Sequence, residues 1–122
     1  YNRQFEGMVL KACAARFPAY ASRVRNITGR IVDLLLPFRN FHYYDPQQQG
    51  SASIKNVLPA LVGTSYEGMV IGDGETASHE YYRVTYTDDT ADRPAVYEHL
   101  KEYCGLDTKA MVDIVHALQK LV

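Results

Sequence analysis

The chain of 122 residues has the composition of one ordinary globular domain, or of a large part of one. Apolar residues make up 47% and charged residues 22%, which excludes a disordered or fibrous chain. No apolar run approaches the roughly 18 residues of a membrane span, so no membrane association is predicted. Two cysteines are too few for a disulfide framework, and reduced thiols predict a cytoplasmic protein. Because the sequence begins without methionine or a secretory signal, we expect it to come from a longer protein.

The net charge of −1 hides an asymmetry between the two halves of the chain. Residues 1–60 carry eight Lys or Arg and three acids, whereas residues 61–122 carry five Lys or Arg and eleven acids. The halves therefore have charges of +5 and −6, which add to −1. The split indicates a basic surface that faces an anion. The alternative is that the two halves neutralise each other in the fold.

Hydrophobic periodicity predicts helices in the first third of the chain. Apolar residues recur at spacings of three and four over residues 2–17, with Asn2 as the N-cap and Pro18 as the stop. A similar stripe continues to residue 35, with a break at Gly29. Residues 30–36 read equally well as the end of this helix or as a short buried strand.

The rest of the chain is also predicted to be mainly helical. We predict helices over residues 54–61 and 75–82, the second capped by Asp73, with a short strand at 69–71 between them. A last helix runs from Pro94 to residue 121, interrupted or bent near Gly105. The fold class of the isolated chain is therefore mainly α, with four or five helices and little strand.

The last predicted helix places an acid and a phenol at the edge of a buried face. Tyr103 lies four residues before Asp107, and Asp107 continues into the apolar stripe that contains Met111 and Ile114. A carboxylate in this setting needs a partner or a cation. The alternative is that Asp107 caps a helix that follows Gly105, while Tyr103 belongs to the core.

Glu6, in the first turns of the first helix, is a second candidate acid. It directly follows Phe5, so each of two helices offers a carboxylate beside an aromatic ring. Carboxylate oxygens are the ligands that Mg²⁺ prefers. The alternative is that Glu6 only interacts favourably with the positive end of its helix dipole.

Basic and aromatic residues of the positive half are candidates for binding nucleic acid. Arginines contact phosphates and exposed rings stack on bases, both without sequence preference. The alternative is a solvated helix face beside a core aromatic cluster. The candidates are Arg16, Arg23, Arg25, Arg30 and Arg39, followed by Phe41, Tyr43 and Tyr44.

Two short motifs resemble those of DEDD-type exonucleases. Tyr1-Asn-Arg-Gln-Phe-Glu6 resembles the second motif of these enzymes, in which an Asn precedes Phe-Asp, with Glu6 in the position of the acid. Tyr103-Cys-Gly-Leu-Asp107 matches their third motif, Tyr-x-x-x-Asp. The stretches Arg30-Ile-Val-Asp-Leu34 and Ser53-Ile-Lys-Asn-Val-Leu58 resemble segments that follow the second motif.

Longer stretches resemble one bacterial family of unassigned function, whose members often carry a Cas4-like nuclease domain upstream. This resemblance extends over nearly the whole chain. It is carried by residues 30–39, 50–61, 65–68 and 103–112.

The resemblance implies an RNase H-like α/β fold and a metal-dependent 3′→5′ exonuclease acting on DNA or RNA. Glu6 and Asp107 would hold Mg²⁺ or Mn²⁺, and Tyr103 would orient the attacking water. The first motif of the superfamily, Asp-x-Glu, would lie before Tyr1.

On this reading, residues 1–122 are a single partial domain, the helical C-terminal part of the exonuclease fold, and are inactive alone. Helices without their sheet would expose apolar faces, so we expect the chain to self-associate. The alternative function is a non-catalytic scaffold that binds nucleic acid or a partner nuclease.

Overall fold

A computed structural model describes residues 1–121, and every regular element in them is helical, which confirms the mainly α class. Two short 3₁₀ turns, Pro18–Tyr20 and Pro46–Gln48, accompany the α-helices. None of the helices in the described part is both long enough and apolar enough to cross a bilayer. The α-helices are α1 (Arg3–Arg16), α2 (Ala21–Arg30), α3 (Leu36–Arg39), α4 (Ile54–Val62), α5 (Gly74–Tyr86) and α6 (Arg93–Gln119).

Local sequence signals set several helix ends. The Asn2 side chain accepts a hydrogen bond from the Gln4 amide, so it caps α1 as predicted. Asp73 caps α5 in the same way, accepting from the Thr76 amide at 2.8 Å. The helix α4 ends at Gly63, whose φ of +82° is a left-handed conformation that glycine adopts without strain.

The long C-terminal helix organises the core. One buried cluster lies where α4 and α6 meet and includes Phe38, Leu58 and Ile114. A second cluster lies between α5 and α6 and includes Val84 and Val96. Tyr103 packs against both clusters, so the residue predicted to act at the site also joins the two parts of the core.

Three local predictions are wrong. The predicted break near Gly105 does not occur, because packing against α4 and α5 carries α6 through this position as one helix. The predicted strand at 69–71 is loop, since no described strand is available to pair with it. Residues 31–33 are neither helix nor strand, so neither alternative for residues 30–36 describes them.

The first two helices pack mainly on each other and stand outside the main core. No residue of α1 is buried, and Val24 is the buried residue of α2. Large apolar side chains are consequently exposed on this part of the protein. They are Phe5, Met8, Val9, Phe17, Tyr20 and Ile27.

Candidate functional site

Asp107 lies half-buried on α6 between two tyrosines. The Tyr66 hydroxyl donates a hydrogen bond of 2.5 Å to Asp107 Oδ1. The rings of Tyr66 and Tyr103 are tilted against each other, with centroids 6.1 Å apart. The structure therefore brings Tyr103 and Asp107 together, as their spacing of four residues predicted, and adds a second phenol from the loop after α4.

The two phenols are held in the neutral form. Burial, together with the neighbouring Asp107 carboxylate, raises the pKa of Tyr103 to about 12. Burial and the hydrogen bond to Asp107 also raise the pKa of Tyr66 well above its usual value. Both hydroxyl groups therefore keep their protons at neutral pH and act as hydrogen-bonding groups, not as bases.

Tyr103 and Asp107 line an open groove of ≈ 1130 Å³ between α5 and α6, here called the α5–α6 groove. Its walls are mostly apolar and include Tyr81 and Tyr97. The backbone of Gly74 approaches the Tyr103 hydroxyl: a Cβ at this position would lie 3.6 Å from the oxygen. The first turn of α5 therefore borders the space in front of the phenol.

Glu6 does not line the α5–α6 groove, although the preceding residue, Phe5, does. Glu6 Oε1 forms a salt bridge of 3.0 Å with the N-terminal ammonium of Tyr1, and 41% of the Glu6 side chain is exposed. The same nitrogen lies 3.0 Å from the Met111 sulfur. Met111 is one helical turn after Asp107. Glu6 Oε2 is buried and has no hydrogen-bond partner. A buried oxygen without a partner is costly, so it marks a place for a cation or a donor.

The acids fit a divalent cation only in part. Among residues 1–121, no group of three or more His, Cys, Asp or Glu side chains is arranged to hold a metal ion. Glu6 has a free buried oxygen, whereas one oxygen of Asp107 already accepts from Tyr66. A Mg²⁺ or Mn²⁺ ion can be held by one or two carboxylates and several waters, and two carboxylates are the most that Glu6 and Asp107 could supply. They do not complete a two-metal site by themselves.

The five arginines predicted to bind nucleic acid are all exposed, but they lie on different elements. Arg16 ends α1, three belong to α2, and Arg39 ends α3. Arg25 of α2 lines a groove between α1 and α2, whereas the other four line neither large groove of the described structure. The role of these arginines stays a prediction.

No direct ion pair in the described residues joins the basic half of the chain to the acidic half. Salt bridges of Lys or Arg in the described residues all lie between residues 80 and 113, where acids and bases pair locally. Arg83, for example, pairs with Glu80, Asp89 and Asp92. The seven Lys and Arg residues of positions 1–39 make no salt bridge among residues 1–121. Direct ion pairs therefore do not neutralise these side chains within residues 1–121.

Tyr66 is the site residue that sequence reasoning missed. It lies 41 residues before Asp107, in a loop, and no periodicity links the two positions. The available signal was the stretch Ser65-Tyr-Glu-Gly68, which the family resemblance already included.

Comparison with known proteins gives one family match. A family model described as a domain of unknown function (DUF2779) matches residues 1–53, a little under half of the chain. The matched part contains Glu6 and the arginines of α1 to α3, but it ends before Tyr66, Tyr103 and Asp107. Neither the curated proteins nor the solved structures gave a match. Residues 1–53 thus resemble a family of unassigned function.

Proposed function

We propose that this chain is the helical part of a metal-dependent 3′→5′ exonuclease domain that hydrolyses phosphodiester bonds of DNA or RNA. The observation that carries the proposal is the buried, unpartnered Oε2 of Glu6. The N-terminal ammonium of Tyr1 links Glu6 to α6, because it contacts both Glu6 Oε1 and the Met111 sulfur. The helix α6 also presents Tyr103 and Asp107 to one groove. Glu6 and Asp107 would hold Mg²⁺ or Mn²⁺. When bound, such an ion supplies charge stabilisation for the phosphate oxygens and activates water.

The roles of the side chains follow from their environments. Tyr103, with a pKa of about 12, remains a neutral phenol that orients the attacking water through a hydrogen bond. Tyr66 fixes the Asp107 carboxylate so that Oδ2 is the oxygen left to bind a ligand. In the reaction, the water oxygen attacks phosphorus and releases a proton to solvent, the P–O3′ bond breaks, and the leaving O3′ takes up a proton from solvent.

We place the remaining acids of the site in the parent protein, upstream of Tyr1. The chain would then be one partial domain of an RNase H-like fold, inactive alone and preceded by a Cas4-like nuclease domain in the parent. Two free, exposed cysteines, Cys13 and Cys104, suit the reducing cytoplasm in which we place it.

The test is digestion of 5′-labelled single-stranded DNA and RNA by the parent protein with Mn²⁺, after any upstream Cas4-like site has been inactivated. We expect products that shorten from the 3′ end. Asp107→Asn and Glu6→Gln should abolish them, and Tyr103→Phe should slow them by about 10- to 100-fold.

Asp113→Asn is the matched control. Asp113 is a carboxylate on the same helix, but it pairs with Lys109 and lies outside the α5–α6 groove. We expect normal digestion by this variant. Digestion that is unchanged in Asp107→Asn would contradict the proposal.

A second candidate function is a non-catalytic scaffold that binds nucleic acid or a partner nuclease. It is favoured by the hydrogen bond that already occupies Asp107 Oδ1 and by the Glu at position 6, where DEDD-type enzymes have Asp. Salt-dependent binding of nucleic acid without cleavage by the parent protein would support this candidate.

A further inference from the structure

A second groove of ≈ 1200 Å³ lies between α1 and α2, here called the α1–α2 groove. Three cationic side chains line it: Arg3 and Lys11 from α1 and Arg25 from α2. The acid that lines it is Asp33, whose Oδ1 accepts a hydrogen bond from the Leu35 amide. The groove therefore has a net positive lining.

These cations are available to a ligand. None of the three makes a salt bridge in the described part of the chain, and all three are exposed. By contrast, Arg83 of the acidic half is held by three carboxylates. The groove thus concentrates positive charge that the protein itself does not neutralise.

One aromatic ring connects the two grooves. Phe5 lines both the α1–α2 groove and the α5–α6 groove, and 59% of its surface is exposed. A large apolar ring that is exposed beside unpaired cations is a suitable platform for a nucleic-acid base. Its position links the cationic groove to the groove of Tyr103 and Asp107.

We propose that the α1–α2 groove binds a single strand of nucleic acid. Arg3, Lys11 and Arg25 contact its phosphates, and one base stacks on Phe5. The strand then continues past Phe5 into the α5–α6 groove. Only this last step rests on the proposed function, because binding in the α1–α2 groove requires no catalysis.

The shape and chemistry of the groove favour a single strand over other anions. A duplex keeps its bases stacked inside and offers none to the Phe5 ring, whereas a single strand does. A membrane surface would favour an apolar helix face that lies flat on it, not cations facing into a cleft between two helices. Arg16, Arg23, Arg30 and Arg39, which lie outside this groove, are not needed for the proposed contacts.

The test is fluorescence anisotropy with a labelled oligo-dT probe and the full chain in EDTA, over a series of salt concentrations. We expect binding that weakens with salt. In Arg3→Gln/Arg25→Gln, the slope of log K against log salt should become less negative by about 1.4, since each lost contact to a single strand removes about 0.7. Phe5→Leu keeps an apolar side chain but removes the ring, and should weaken binding by about 5- to 150-fold.

Lys109→Gln/Lys120→Gln is the control, because it removes the same charge at another surface. It should leave the slope unchanged, and circular dichroism should show all variants to be folded. Equal effects of the two double variants, no effect of Phe5→Leu, or equal affinity for duplex DNA would overturn the proposal. Tighter binding to vesicles containing phosphatidylserine than to oligo-dT would also overturn it. Because no divalent ion is present, failure of binding here is distinct from failure of the nuclease assay.

Discussion

The hydroxyl of Tyr66 and the carboxylate of Asp107 are joined by a hydrogen bond of 2.5 Å, although the residues are 41 positions apart in the chain. This bond fixes the loop after α4 against the middle of α6. The candidate site is therefore built by the same contact that fastens two parts of the fold.

Tyr66→Phe should lower the free energy of unfolding by about 1–2 kcal/mol, because it removes a donor to a charged acceptor while keeping the buried ring. Urea denaturation measures the change. Tyr43→Phe is the matched control: the Tyr43 ring packs on Phe38 at a centroid distance of 5.9 Å, and its hydroxyl makes no hydrogen bond within residues 1–121. An equal loss of unfolding free energy in both variants would show that the hydrogen bond to Asp107 does not itself stabilise the fold.

The raised pKa values of Tyr66 and Tyr103 predict a loss of stability at alkaline pH. Above the ordinary pKa of 10.0, the folded chain holds protons that the unfolded chain has released. The stability gained from these protons is complete below pH 10 and is lost as the pH rises toward about 12.

Urea denaturation at several pH values between 9 and roughly 12 measures this effect. Tyr103→Phe should flatten the decline, since it removes one of the linked protons. An equally steep decline in this variant would contradict the assignment to Tyr103.

Two glycine substitutions should change stability in opposite directions. Gly105 lies inside α6 with open space around it, so Gly105→Ala should stabilise the protein by about 0.8–1 kcal/mol. Gly63 has a positive φ at the end of α4, so Gly63→Ala should destabilise it by about 1 kcal/mol. Thermal unfolding compares the two variants. Destabilisation by Gly105→Ala would mean that α6 is interrupted there after all.

The isolated chain should self-associate, because α1 and α2 expose large apolar side chains that no described element covers. Light scattering over a range of concentrations is expected to show a rising average mass. Val9→Gln/Ile27→Gln, which changes one exposed side chain on each helix, should reduce the association. A monomer at high concentration would contradict this prediction.

The features of the fold that could be predicted were helix ends set by nearby side chains. Asn2 and Asp73 cap their helices as expected, and Pro94 lies in the first turn of α6. Gly105 misled the prediction because the cost of one glycine is small compared with the packing of a long helix on two neighbours. The predicted strand at 69–71 failed because a strand needs a partner strand, which its own residues cannot supply.

The contacts of the candidate site also fall into those that the sequence predicts and those that it does not. The pairing of Tyr103 with Asp107 follows from helical spacing, so the sequence was sufficient for it. The hydrogen bond of Tyr66 to Asp107 depends on tertiary packing. The same is true of the contacts that the Tyr1 nitrogen makes with Glu6 and Met111. No local sequence pattern encodes these contacts. The charge asymmetry of the sequence allowed two interpretations. The structure shows where direct ion pairs form: Arg83, for example, pairs with three acids of its own half.

The central claim is that Glu6 and Asp107 hold one divalent cation together. Titration of the chain with Mn²⁺, followed by electron paramagnetic resonance of the free ion, tests it directly. We predict that Glu6→Gln and Asp107→Asn each weaken binding by about tenfold or more, and that the double variant is little worse than either. Asp113→Asn should bind normally. Additive effects of the two substitutions, or losses no larger than that of Asp113→Asn, would show that the two carboxylates do not share an ion.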